Sequence, residues 1–561
     1  MELHNLIRYT FLACSIGTLA ACSSANDGTS TPTSTTVSGS IFAAPVGGAV
    51  VTIEDTNGNT IADSVNTADT TDDTNGTFEV TLDNTDLAST LVFESTGGTF
   101  KDEATGDASV AAGTMSVMTE ANSLSSSSNN VHATPGTTII SKLVSGGMAM
   151  NDAIDAFTTA FGYTPDHSIA PTDTTNPATV AEDAQILAGL RAAAFSQLAM
   201  ELGLTSDQQF DLFDALTEDL LSDGLLDGVG ATSLMLSEDI QNRFATALLN
   251  YHNNGLMMPT ADEFNPNNKT VLSNDKIGIL PFGKVALTND YRVEYMGMAS
   301  VGKTVFTLKV TLHDGVTPVD NLSPALMPVM NMADMRHNTP VGSVINNNDG
   351  TYDFTIYYLM PNMMGGYWDL GVELDGTNTA HFYPTVMNPM DGTTSRVVLK
   401  GLNDNDDMTI DDDIPTMDGG EAARPYFMFK ENLISQGASG GQHDFSFTLF
   451  ARETMMSHPA IDDNPPDSFV LNSGTPYQLS ISSVVIEVSG DDGQNWVTAV
   501  NDGTNLYTAT GITGLKNNID PITGLHPIRI KLSVNGVAKT KLGDAPVVDV
   551  NDTQTFFVTL P

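Results

Sequence analysis

From Val37 onward the chain is built of short β-branched runs broken by turn-forming dipeptides. Ala49-Val50-Val51-Thr52-Ile53 leads into Asp55-Thr56-Asn57-Gly58-Asn59, and Thr77-Phe78-Glu79-Val80 follows Asn75-Gly76. Asn and Gly tolerate the backbone of tight turns, and β-branched side chains suit a pleated, half-buried surface, so this punctuation predicts short strands. One block departs from it. Residues 138–161 and 178–202 carry apolar side chains at helical spacing, as at Ile186, Leu187, Leu190, Ala194 and Leu198. Shorter helices are expected around 206–222 and 234–251. A Ser/Asn stretch, Asn122–Asn130, precedes this block, and strands resume after Ile277 at Thr304–Leu312, Tyr352–Tyr358 and Trp368–Leu374. With 561 residues the chain has room for three or four domains at roughly 150 residues each. The expected fold class is mainly β and multidomain, with one helical insert domain and no long solenoid repeat.

Acidic residues outnumber basic ones 68 to 22, for a net charge of −46. A nucleic-acid partner needs a basic face and an anionic bilayer attracts basic clusters, so both are excluded as electrostatic partners. The N-terminus predicts a different route to a membrane. Phe11–Ala21 is too short and mixed to span a bilayer, which takes roughly 20 apolar residues, but it has the length of a signal-peptide apolar region. The run ends Leu19-Ala20-Ala21-Cys22 and so resembles the bacterial lipobox. That resemblance implies a signal peptide over 1–21, acylation of Cys22, and a flexible tether over 22–36. Ser23 implies sorting to the outer membrane, leaving the chain on its periplasmic or cell-surface face. Cys14 would leave with the signal, so no disulfide is expected in the mature chain.

Further resemblances divide the rest. The stretch VSGSIFAAPVGGAVVTIEDTNGNTIADS, with TDDTNGTFEVTL after it, is similar to the carboxypeptidase-regulatory-like, transthyretin-like β-sandwich, a non-catalytic module. It implies such a sandwich over 37–115. The stretches VHATPGTTIISKLV and AEDAQILAGLRAAAFSQLA resemble a helical segment that follows such sandwiches in bacterial lipoproteins, which implies a helical domain over 131–275. An acidic linker is expected at 401–424. Over 425–561, the Val484–Val488 strand, the Asp491-Asp492-Gly493 turn and Trp496 resemble an immunoglobulin or fibronectin-type-III sandwich.

Three motifs match on paper and fail in context. Gly297–Thr304 fits G-x-x-x-x-G-K-[ST], but VFTLKVTLHD after it alternates as a strand where a phosphate loop needs a helix, so no nucleotide is expected. Gly437–Gly441 fits G-x-S-x-G, yet a strand follows it too. Asp404, Asp406 and Asp407 are acidic neighbours, but Met408 and Thr409 stand where an EF-hand needs a ligand and a glycine. A solvated charged linker is the expectation there, with loose Ca²⁺ binding at Asn403–Asp413 as the alternative. No zinc framework and no nucleophile–base group is present, so no catalytic residue is assigned and the chain is expected to be non-enzymatic.

Eleven of the 25 methionines fall between positions 285 and 390, with His313, His337 and His381 among them. The densest part is Leu326–Pro340, LMPVMNMADMRHNTP. Thioether sulfur is a soft ligand that needs no deprotonation, which suits Cu(I), and imidazole can complete such a site. The order GKTVFTLKVTLHDG, MPVMNMADMRHNTP, GTYDFTIYYLMPNMMGGYWDLGVEL resembles the YtkA-like domain. The resemblance implies a β-sandwich over 277–400 and an association with copper. Candidate ligands are Met330, Met332, Met335 and His337, then Met363 and Met364, with the Trp368 ring capping the ion. The competing expectation is that these methionines fill a core or face a protein partner. The function expected is therefore an outer-membrane-anchored lipoprotein that binds copper or a protein. Its alternative is a structural or adhesive surface lipoprotein whose sandwiches are spacers.

Overall fold

The computed structural model describes residues 34–69, 75–125, 129–175, 181–254, 272–333, 335–362, 365–408, 421–436, 441–461 and 469–561. The expected leader, Cys22 and most of the tether lie outside these, as do Met363 and Met364. The fold is mainly β and multidomain, as the turn punctuation predicts.

Alternating burial shapes many of the strands. In Gly302–Thr311 the side chains of Thr304, Phe306, Leu308 and Val310 turn inward, while Lys303 and Val305 face solvent. A sheet made this way has one apolar face that a second layer must cover. Three pairs of sheets do so. In the first, Thr77–Asp83, Ser34–Ile41 and Asn130–Ala133 oppose Thr60–Asn66, Val50–Asp55, Leu91–Thr96 and Met115–Thr119. Their facing side chains, Val37, Phe78, Val51 and Phe93 among them, share one core.

That core does not stop at the sandwich. Asn130–Ala133 pairs in parallel with Ser34–Ile41 and leads directly into helix α1, Pro135–Ser145. The Thr138 hydroxyl donates to the Ser116 carbonyl of the sandwich, 3.2 Å away. Four more helices follow: α2, Met150–Phe161; α3, Asp183–Glu201; α4, Gln209–Asp223; and α5, Ile240–Asn254. The stretch 138–161 is thus two helices, parted at Gly147, whose φ of 106° is a glycine conformation. Phe161, Phe195, Phe213 and Phe244 knit the helices together, with Phe195 4.8 Å from Phe244 and 5.8 Å from Phe213. α3 runs through the middle, and at Gly189 a Cβ would sit 2.2 Å from the Thr172 carbonyl oxygen.

The second sandwich sets Val285–Leu287, Arg292–Met296, Gly302–Thr311, Thr351–Tyr358 and Val341–Asn346 against Arg336–His337, Ala325–Met332, Gly366–Glu373 and Thr379–Phe382. The third joins Arg396–Asp407, Glu421–Gln436, Gln442–Ala451 and Leu506–Thr513 to a sheet centred on Val484–Ser489 and His526–Val534. Tyr426, Phe445, Ile486 and Ile530 fill the space between its layers.

The expected acidic linker at 401–424 is corrected here. Asn405, Asp406 and Asp407 pair with Ala423, Ala422 and Glu421, so the flanks of the acidic segment are the two arms of a hairpin. The third sandwich therefore begins at Arg396 rather than at 425, and the second ends before it. Asp404 and Asp406 are buried, not solvated. The fully buried Arg424 explains how: its Nε donates to Asp404 Oδ1 at 3.0 Å, and its other nitrogens donate to the carbonyls of Arg452, Asn405 and Tyr477. Lys539 Nζ adds a bond of 3.3 Å to Asp404 Oδ2, the Tyr426 hydroxyl donates to the same oxygen, and Arg452 pairs with Asp406. A carboxylate leaves water only when charges and donors replace it. In the stretch that fits the phosphate-loop pattern, Lys303 lies on a strand, as the alternation after it predicts, and pairs with Glu431.

Removing Arg424 strands Asp404 in the core. Arg424→Leu should destabilise the third sandwich by about 3–5 kcal/mol in urea unfolding, against under about 1 kcal/mol for Lys303→Ala at its partly exposed ion pair.

Candidate functional site

The methionine–histidine segment is a hairpin on the edge of the second sandwich. Met330 stands opposite His337 on one side and opposite Trp368 on the other, so the three form one row across three strands. All three are buried and point into the core, Met330 and Trp368 completely. Period-two alternation puts Met332 on the same face, partly buried against the same core. Met335 forms the tip of the hairpin, where its carbonyl accepts from the Met332 N–H at 2.9 Å, and its side chain is half-buried. Met330, Met332 and His337 are therefore brought to one side of the hairpin, with Met335 at its turn.

The sequence reading passes over Met360 as a partner, although it sits in a second Met-Pro pair that echoes Met327-Pro328. Its sulfur lies 3.3 Å from His337 Nε2. His337 Nδ1 is 2.8 Å from the Asn338 carbonyl oxygen, which can only accept, so Nδ1 carries the proton. In the neutral ring Nε2 is then a bare lone pair facing a thioether. Burial holds the His337 pKa below the ordinary histidine range, opposed by the Asn338 bond and reinforced by the charges of Arg452 and Arg396. Trp368 Nε1 donates to the Met360 carbonyl at 3.0 Å and so fixes that residue. The Trp368 ring makes edge contacts with His337, 5.6 Å between centroids, and with Tyr358, 5.1 Å.

The same segment is where the second sandwich meets the third. The Asn338 N–H donates to the Met455 carbonyl at 3.0 Å, its amide nitrogen donates to the Met456 carbonyl, and its Oδ1 accepts from His458 Nδ1 at 2.6 Å. Met455, Met456 and His458 of the third sandwich thus lie against the methionine–histidine hairpin. Burial, with the nearby His337 and Arg452, holds the His458 pKa well below its usual value. Beside this contact, the Tyr357 ring packs at a tilt against Phe429 at 5.1 Å and Phe450 at 4.9 Å. Two other histidines lie elsewhere: His381 Nδ1 is 2.8 Å from Asp369 Oδ1, and His313 Nε2 is 2.9 Å from the Thr288 carbonyl. Among the described residues no three His, Cys, Asp or Glu side chains converge as a metal site, and no helix is long and apolar enough to cross a membrane.

No family model matches the chain. No curated protein matches it either. Among solved structures, domains 5–6 of the S-layer protein SbsC align over 49% of this chain and 99% of theirs, at 11% identity and a TM-score of 0.14. A crystal structure of titin domains aligns over 46% of this chain and 95% of its own, at 9% identity and a TM-score of 0.12. Scores this low establish no shared fold.

A histidine that is neutral when folded and free to protonate when unfolded stabilises the fold fully above its unfolded pKa, near 6.5. That stability is lost as the pH falls below it. His458→Gln keeps a donor for Asn338 and removes the titration. The stability gap between wild type and this variant should shrink between pH 7 and 5, by up to about 1.4 kcal/mol per pH unit, in urea unfolding at fixed salt.

Proposed function

We propose that this chain is a non-enzymatic scaffold of the bacterial cell surface, held to the outer membrane through acylated Cys22. In this reading its domains are locked to one another, and the methionine–histidine segment is part of the lock. The observation that carries the reading is the joint itself. Asn338 ties the second sandwich to the third by three hydrogen bonds, while Tyr357, Leu359, Phe427, Phe429 and Phe450 form a small core shared between them. The helices grip the second sandwich in the same manner. Asn242 Nδ2 donates to the His381 carbonyl at 2.6 Å and Arg292 Nε to Glu238 at 2.7 Å. Domains that merely share a chain need no such contacts, and their relative motion is the default. A spacer that must hold a shape needs them.

Complete burial of Met330 against Trp368 supports a packing role for that sulfur. One observation favours copper as a second reading: the unprotonated His337 Nε2 and the Met360 sulfur point at each other, a pairing a soft cation would stabilise. In that reading Met332 and Met335 would supply further sulfur from the hairpin.

Three outcomes test these statements. Cys22→Ala should leave the protein unlipidated and in the soluble fraction after membranes are pelleted; retained acyl label and membrane partition would remove the anchor. Tyr357→Ala should leave all three sandwiches folded but speed proteolysis between the second and third, with a cost of about 3–5 kcal/mol to their joint. Cu(I) competition titration on the whole chain decides the second reading. Equal affinity in wild type, His337→Gln and Met332→Leu/Met335→Leu, or no binding in any, leaves packing as the account.

A further inference from the structure

A cavity of about 180 Å³ opens within the helical block. Its walls are the start of α1, the loop that follows α2, and α3. Arg191 and Tyr163 both line it. The Arg191 guanidinium lies over the Tyr163 ring, 4.3 Å from its centroid. Among the described residues Arg191 forms no ion pair and no hydrogen bond, and the hydroxyl of Tyr163, a residue only 8% exposed, has no hydrogen-bond partner.

Acids outnumber bases three to one, and Arg292 meets Glu238, Arg424 meets Asp404 and Arg452 meets Asp406, whereas Arg191, like the buried Arg396 over the Phe427 ring, meets an aromatic ring and no carboxylate. Arg191 is pushed the other way by its surroundings, since burial disfavours its charge and only Tyr163 offsets this. A guanidinium keeps its proton regardless, so the cavity wall holds a fixed positive charge with its donors unused.

We propose that this cavity binds a small organic monocarboxylate, with Arg191 taking the carboxylate and Tyr163 donating a further hydrogen bond. The guanidinium fork matches the two oxygens of a carboxylate in a plane, which a spherical anion cannot exploit. The rest of the wall suits an apolar body. Ala184, Ala188 and Ala192 come from successive turns of α3, and Ile169 and Pro165 come from the loop. The volume is near that of a cavity that admits a benzene ring. Asp166 at the wall sets the preference for one charge over two. Its Oδ1 accepts from the Ser168 N–H and hydroxyl, and its charge is felt at His132 and His167, so it stays ionised and repels a dianion.

The test is calorimetric titration of the full chain with benzoate and isobutyrate, against benzamide, isobutyramide and sulfate at matched ionic strength. Saturable binding of the acids is expected, with the amides and sulfate at least about tenfold weaker. Arg191→Gln should weaken acid binding by about tenfold or more, and Tyr163→Phe by about threefold. Ala188→Leu leaves the charge in place and fills the cavity, so it should abolish binding; it decides the matter if circular dichroism shows that the Arg191 variant has not folded. Amides binding as well as acids, sulfate binding as well as benzoate, affinity unchanged in folded Arg191→Gln or in Ala188→Leu, or no binding by wild type would each overturn the proposal.

Discussion

A β-sheet with one apolar face is unfinished until something covers it, and this requirement organises the whole chain. The alternation in strands such as Gly302–Thr311 creates such faces, and they are closed in two ways. The second and third sandwiches close them with a second sheet. The first does so too, but it also extends its core into five helices, so that Val37 and Phe244 belong to one continuous apolar cluster. The helical block is therefore no free-standing insert. The two parts share that one core.

Polar groups buried by this closure must be answered in place. The third sandwich shows the rule kept, with Asp404 and Asp406 neutralised by Arg424, Lys539 and Arg452 at close range. The first shows a harder case in Glu103, which is almost wholly buried and accepts the Ala44 N–H at 2.7 Å. Burial and the neighbouring Asp102 push its pKa up to about 8, so it is largely protonated at neutral pH. With 68 acids to place, a fold of this size solves some by ion pairing and others by neutralisation.

The joint between the second and third sandwiches combines both ideas. Its aromatic residues close leftover apolar surface, while Asn338, His337 and His458 satisfy the groups around it. Methionine suits such a place because an unbranched, polarisable side chain fills irregular gaps. The same softness makes sulfur a ligand, which is why clustering along the chain cannot separate the two roles. In the folded chain Met330 faces Trp368 in the core, and the Met360 sulfur faces the lone pair of His337.

Much of this was legible in the chain. Strands near Thr304–Leu312, Tyr352–Tyr358 and Val484–Val488, the helices within 178–202 and 206–222, and the failure of the phosphate-loop match all follow from periodicity and turn chemistry, which act over a few residues. The split at Gly147 was missed because helical spacing continues across it. The linker at 401–424 was misjudged because a run of aspartates reads as solvated unless its partners are known. Those partners, Arg424, Arg452 and Lys539, lie 20 to 135 residues away along the chain. The same holds for Met360 beside His337, His458 beside Asn338, and Arg191 beside Tyr163. Local sequence determined which segments would be strand, turn or helix, because those preferences are set by each residue and its near neighbours. Which charges are buried, which sulfurs face a histidine and which arginines meet no carboxylate were decided only by tertiary packing, because close contacts between distant segments exist only once the sheets have been stacked.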